Sequence, residues 1–195
     1  MTQYPNWFAH YADRFFSRHL ADLAGRPDLR CLQIGAFTGD ASLWLLEHTL
    51  TGPGSALVDV DTWEGSDEPE HEPFDWADVE RTYDERTAEH VASGRLIKFK
   101  GTSLSFFRTV SAAPRYDFIY IDGDHTARTV LSDAVNAYRR LKPGGLIAFD
   151  DYLWKSSADP DPAKAPGVAI DAFMADRAYL LDVLEVGLQA WFRRR

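Results

Sequence analysis

The sequence predicts an α/β protein, doubly wound, with a mostly parallel seven-stranded sheet that closes in a C-terminal antiparallel hairpin. Three observations lead there. Short apolar runs alternate along the chain with stretches of helical periodicity, the pattern of strand–helix–strand units that build a parallel sheet with helices on both faces. The first apolar run stops at a glycine-rich turn placed just ahead of a helical stretch. The final run, LLDVLEVGLQAWFRR, alternates in polarity and breaks at Gly187, as a closing hairpin would.

Taken in order, Trp7, Phe8, Tyr11, Phe15, Phe16, Leu20 and Leu23 recur at helical spacing and predict an amphipathic helix within an N-terminal helical segment, residues 1–29. RCLQI (30–34) reads as the first strand, and 42–50 as a helix carrying Leu43, Trp44, Leu46 and Leu50. A second strand at 56–60 ends in Asp61. Residues 64–78 turn acidic and proline-rich and read as a long loop or lid. Helical spacing returns with Val79, Tyr83 and His90, and Gly94 is placed to end that helix. RLIKF (95–99), YDFIYI (116–121) and LIAF (146–149) supply the third, fourth and fifth strands. Between the last two, Val130, Ala134, Ala137, Tyr138 and Leu141 share one helical face, and Lys142-Pro143-Gly144-Gly145 turns the chain into the fifth strand. A further helix is expected over 168–174. No internal repeat interrupts this order, and residues 1–195 read as one domain.

Bulk properties narrow the function. The 195 residues carry a net charge of −9, which disfavours nucleic acid as a partner, since phosphate binding needs a surplus of Lys and Arg. The basic run Arg193, Arg194, Arg195 reads as a solvated tail. No apolar stretch approaches the roughly 20 residues that span a bilayer, and the N-terminus lacks the features of a signal peptide. A cytoplasmic protein with no membrane partner is expected. Cys31, the single cysteine, lies in an apolar run and reads as an inert buried thiol. The oligomeric state, monomer or homo-oligomer, stays open.

In an open parallel sheet, ligands bind beyond the carboxyl ends of the strands where the strand order reverses. After the first strand come Gly35-Ala36-Phe37-Thr38-Gly39, where glycines permit a tight turn and close approach to a ligand. This is neither the G-x-G-x-x-G dinucleotide fingerprint nor a P-loop, which disfavours a nicotinamide dehydrogenase. Asp61, about twenty residues further on, stands where an acid can accept both hydroxyls of a ribose. Asp59 competes for that role, since strand alternation points it the same way, but Asp61 lies at the strand's exit.

Together, CLQIGAFTGDAS (31–42), VDTWEG (60–65), YIDGDH (120–125) and LKPGGLIAFDDY (141–152) resemble the class I S-adenosylmethionine-dependent methyltransferases. The likeness is nearest to the macrocin O-methyltransferase type, with catechol O-methyltransferases more distant, and covers the chain from about Arg30 onward. It implies a Rossmann-like fold and S-adenosyl-L-methionine as cofactor. On this resemblance Gly35, Ala36 and Gly39 border the methionine part of the cofactor, Asp61 holds the ribose with Thr62 and Trp63 beside it, and Gly101 and Ser103 meet adenine. Asp122 falls beside the cofactor as well. Gln33 stands where the family usually has Glu or Asp, which removes one charge facing the cofactor's ammonium group.

Asp122, Asp124, Asp150 and Asp151 gather at the exits of the fourth and fifth strands. Crowded carboxylates repel unless a positive charge sits among them, and oxygen ligands suit Mg²⁺. In metal-dependent relatives the matching ligands are Asp122, Asp150 and Asp151. The resemblance offers Asp124 first, then His125, as the base that takes a proton from the acceptor. Trp63, Phe74, Trp76 and Trp154 either line an acceptor pocket or pack the lid, while His71 and His90 read as solvent-exposed and without a role. The expected function is Mg²⁺-assisted O-methylation of a small-molecule hydroxyl on a sugar, a phenol or another secondary metabolite. A metal-free small-molecule methyltransferase, with nitrogen as a further acceptor, and a non-catalytic module that binds the cofactor are the alternatives, the second hinted at by Gln33.

Overall fold

A computed structural model of the chain describes residues 4–10, 12–66, 71–155 and 161–195. Seven strands can be traced among the described residues: β1 (Arg30–Ile34), β2 (Ala56–Asp61), β3 (Leu96–Lys100), β4 (Tyr116–Ile121), β5 (Leu141–Phe149), β6 (Leu181–Val186) and β7 (Ala190–Arg194). They form one sheet in the order β3-β2-β1-β4-β5-β7-β6. The pairs among β1 to β5 are parallel, and β7 runs antiparallel to both β5 and β6. The predicted Rossmann-like architecture and its closing hairpin are therefore present. The strand order reverses between β1 and β4, so a ligand crevice is expected beyond their carboxyl ends.

Helices follow the strands as the connections require. A single α-helical turn, α1 (Ser17–His19), precedes β1. Then come α2 (Asp40–Trp44), α3 (Trp76–Ala92), α4 (Ser103–Thr109), α5 (Ala127–Tyr138) and α6 (Pro166–Asp176). Alternation along each strand sorts side chains to two cores. Cys31, Leu57, Phe118 and Tyr120 face the N-terminal segment, α2 and α3, whereas Leu32, Val60, Ile119 and Ile121 face α4, α5 and α6. No described helix is long and apolar enough to cross a membrane.

Several boundaries differ from the sequence expectation. The N-terminal segment does bury Phe15, Phe16, Leu20 and Leu23, but not as one helix. It runs through a 3-10 turn (Phe8–His10) and a π-helical turn (Ala12–Phe16) into α1. Adjacent Phe15 and Phe16 are both fully buried. Likewise α2 continues into a π-helical turn, Leu45–Thr49. The helix α4 was not expected, because its seven residues are too few for periodicity to register. Thr102 opens it by accepting the amide of Ser105 at 3.1 Å. Finally, β5 begins at Leu141 rather than Leu146: Leu141 pairs with Tyr116 and Leu146 with Phe118, so the Pro-Gly-Gly segment is a bulge within the strand.

Phe16 holds the first core together. It makes edge-on ring contacts with Trp44, Phe118, Tyr120 and Trp191 at centroid distances of 5.5, 5.8, 5.0 and 5.2 Å. Phe16→Ala is expected to cost about 3–5 kcal/mol, read as a lower urea midpoint. A loss below about 1 kcal/mol would show that the N-terminal segment does not belong to the cooperative core.

Candidate functional site

Residues from the carboxyl ends of β1 through β5 line one cleft of roughly 500 Å³. Its floor is the turn after β1. Gly35 has a φ of +85°, and a Cβ there would lie 1.7 Å from the carbonyl oxygen of Asp122, so only glycine permits the approach of the two chain segments. Asp61, at the exit of β2, fastens this turn. Its Oδ2 accepts the amides of Ala36 at 2.7 Å and Phe37 at 3.0 Å, and its Oδ1 accepts the amide of Trp63 at 2.7 Å. Such bonds to a carboxylate are stronger than neutral ones.

Gln33, Gly35, Ala36, Asp61, Thr62, Gly101, Ser103 and Asp122 all border the cleft, together with Asp124, His125, Asp150 and Asp151. Gly39 and Trp63 stand behind its wall. Gly39 packs on Tyr83 and Thr87, and buried Trp63 donates its indole N–H to Phe37 O at 2.9 Å. Asp59 is separated from Asp61 by its surroundings. It is fully buried, and its Oδ2 accepts the hydroxyl of Tyr83 at 2.8 Å. Burial pushes its carboxyl up to about 7.

At the β4 and β5 exits the acids divide. Asp122, His125 and Asp151 each offer a ligand atom, and these atoms lie within 4.8 Å of one another. His125 Nε2 is 2.9 Å from Asp151 Oδ2, and the Trp154 ring covers the imidazole at 4.5 Å. Burial and the charges of Asp150 and Asp151 raise the Asp122 carboxyl well above the usual range. Asp150 sits outside this group, although the sequence placed it there. Its side chain is buried, accepts the hydroxyl of Tyr120 and takes the Asp151 amide at 2.8 Å. Burial and then Asp151 push Asp150 up to about 7. Asp124 is exposed and opens α5, accepting the amide of Thr126 at 2.6 Å and the hydroxyl of Thr129 at 3.2 Å.

His71 and Asp133 are among the cleft residues to which the sequence reading gave no role. His71 is half-buried and lines the cleft, 2.7 Å from the Ser66 hydroxyl, so the expectation that it faces solvent is corrected. It belongs to an aromatic wall in which Trp7 lies 4.8 Å from Phe37 and His71 lies 5.1 Å from Trp76. Only the tertiary fold brings these segments together. The 64–78 loop places Trp76 at the start of α3, and its residues 67–70 lie outside the described residues. Asp133 on α5 also lines the cleft, with the Ser103 hydroxyl donating to its Oδ1 at 2.5 Å. One sign of it was available: a carboxylate set into the apolar face of Val130, Ala134 and Ala137.

The model of a methyltransferase domain family matches residues 32–152. An uncharacterized protein of Acanthamoeba polyphaga mimivirus is 25% identical over 138 residues, which are 69% of this chain and 56% of that relative. The chain thus spans little more than half the length of that relative. Among solved structures, the O-methyltransferase TomG from Streptomyces achromogenes, involved in tomaymycin synthesis and in complex with SAM, is 17% identical with a TM-score of 0.64, covering 98% of this chain and 91% of its own. MycE, a methyltransferase of the mycinamycin pathway in complex with Mg, SAH and mycinamycin VI, is 17% identical with a TM-score of 0.61, covering 99% of this chain and 51% of its own. At these identities the likeness to solved structures is one of fold.

Asp59 makes stability depend on pH. The folded chain keeps a proton on it up to about 7, while the unfolded chain releases it near 3.8. The stability from this group is full below pH 4 and is lost as pH rises through 7. Asp133 and Asp150, also raised to about 7, act in the same direction. Asp59→Asn is expected to flatten part of the fall in melting temperature between pH 5 and 8 and to be more stable than the parent at pH 8. An unchanged slope would show that Asp59 ionises freely in the folded state.

Proposed function

Because the chain belongs to the methyltransferase domain family, we propose that it methylates a hydroxyl of a small molecule with S-adenosylmethionine as donor and Mg²⁺ as helper. The observation that carries this reading is the convergence of Asp122, His125 and Asp151 in the same cleft as the glycine turn. A catalytic ion and a methyl donor need to meet there, and the aromatic wall of Trp7, Phe37, His71 and Trp76 supports a small, partly apolar acceptor.

In this reading Gln33, Gly35 and Ala36 face the methionine part of the donor, Asp61 and Thr62 its ribose, and Gly101 and Ser103 its base. Gly39 and Trp63 shape the turn from behind. S-adenosylmethionine supplies a sulfonium methyl group, and the reaction leaves S-adenosylhomocysteine and a methyl ether. The crowding of Asp122, Asp150 and Asp151, which drives the Asp122 carboxyl up, is the condition that a cation relieves. Asp122 and Asp151 would hold such an ion through oxygen, with Asp150, fixed by the hydroxyl of Tyr120, beside them. Bound there, an ion would supply positive charge able to acidify an acceptor hydroxyl. His125 takes the proton, and Asp151 at 2.9 Å orients its ring and stabilises the protonated form. Asp124 is the second candidate for the base, its carboxyl already accepting the amide of Thr126 and the hydroxyl of Thr129.

A metal-free version is favoured by the same 2.9 Å contact, which joins His125 and Asp151 as a base with its orienting acid.

Calorimetric titration of S-adenosylhomocysteine, with and without Mg²⁺, tests the donor: saturable binding is expected, and none under either condition would sink the cofactor assignment. Turnover on a panel of sugars and phenols should fall by about 100-fold or more after complete chelation and return with Mg²⁺. Asp122→Asn and Asp151→Asn should lose that response. Turnover indifferent to chelation would reject the metal and leave the metal-free version standing.

A further inference from the structure

Behind the acidic cluster runs a buried hydrogen-bond chain rooted in β7. Ala148 pairs with Tyr120 on one side and Trp191 on the other, so the three side chains share one face of the sheet. Asp150 and Gln189 are the next residues on that face, two beyond Ala148 and two before Trp191. Tyr120, Gln189 and Trp191 are fully buried and stand behind the cleft, whereas Asp150 and Asp151 border it.

The direction of every bond in this chain follows from its first member. An indole N–H can only donate, so the Gln189 amide turns its oxygen to Trp191, accepting at 2.9 Å. The Gln189 NH2 group then faces Tyr120 and donates to the hydroxyl oxygen at 3.4 Å, a long bond. The single proton of that hydroxyl goes the other way, to Asp150 Oδ2. Asp150 Oδ1 accepts the amide of Asp151 at 2.8 Å, so the carboxyl is gripped at both oxygens. Asp151 has a φ of +56°, a left-handed conformation that few residues other than glycine adopt. From that backbone its carboxylate meets His125 Nε2 at 2.9 Å and gathers with Asp122.

We propose that Gln189 and Tyr120 are positioning residues: directed by the Trp191 N–H, they lock the Asp150 carboxyl, whose grip on the Asp151 amide aims the Asp151 carboxylate at His125 and Asp122. The consequence for a metal rests on the Mg²⁺ reading given above, while the aim at His125 does not. In a buried network each satisfied bond strengthens the next, so a group remote from the cleft can hold one that lines it.

Two measurements on the purified full chain test this: hydrogen exchange of the Asp151 amide by NMR, and calorimetric titration of Mg²⁺ alone. Tyr120→Phe removes only a hydroxyl, and Gln189→Met removes the amide at similar volume. In both variants exchange at Asp151 is expected to quicken by about 10-fold or more, while the amides of Ile119 and Ile147 in β4 and β5 keep parental protection. Mg²⁺ binding should weaken by about 10- to 100-fold, the usual effect of losing a partner behind a metal ligand. Parental exchange at Asp151 in both variants would overturn the proposal whatever happens to Mg²⁺. Equal quickening at Ile119 and Ile147 would overturn it too, since the two residues would then serve the fold at large. A parent protein that does not bind Mg²⁺ would sink the metal reading alone, and the exchange at Asp151 would still decide the positioning role.

Discussion

One carboxylate, Asp61, governs the geometry of the cleft. It gathers the amides of Ala36, Phe37 and Trp63, and so ties the turn after β1 to the turn after β2. Each such bond to a charged acceptor is worth on the order of 1.5–3 kcal/mol. The gain offsets unusual backbone at both ends, since Phe37 and Trp63 have φ values of +47° and +49°. With the turn held, Gly35 can lie against the backbone of Asp122, and the β1 and β4 exits share one wall.

The second constraint is like charge in a confined space. Three aspartates leave β4 and β5 side by side, because Ile121 pairs with Phe149 and the chain continues directly into acids on both strands. The fold answers each differently. Tyr120 and the Asp151 amide satisfy Asp150, and His125 meets Asp151. Asp122, half-buried, feels the charges of the other two, which outweigh the opposing influence of His125. This asymmetry supports a cation role for Asp122 and Asp151 and a bracing role for Asp150.

A third theme is separation between adjacent carboxyls of one strand. Asp59 and Asp61 point to the same side of β2, yet Asp59 lies sealed beneath Tyr83 while Asp61 opens to the cleft. The difference of one strand period carries the first beneath α3 and leaves the second at the sheet edge. Asp133 repeats the theme on a helix: a buried acid that reaches the cleft only because α4 and α5 pack beside each other over the same face.

The parallel strands, the hairpin and the ligand edge could be read from the residues, because apolar runs ending in glycine or aspartate are local signals. Gly35 and Asp61 do stand at strand exits on the cleft, but the three backbone amides that Asp61 accepts were no part of its sequence reading. Other features required the assembled chain. Whether Asp150 or His125 joins Asp122 and Asp151 depends on side-chain directions, and Asp150 is bonded to Tyr120, thirty residues away in sequence. The aromatic wall unites Trp7, Phe37, His71 and Trp76, segments with no local pattern in common. Asp133 was visible only as an oddity on an apolar face until α4, itself too short to leave a periodic trace, supplied Ser103. Sequence thus determined the elements and the edge at which chemistry can occur, since those depend on neighbours along the chain. Tertiary structure decided which acids face one another and which are sealed, since burial and pairing depend on neighbours in space.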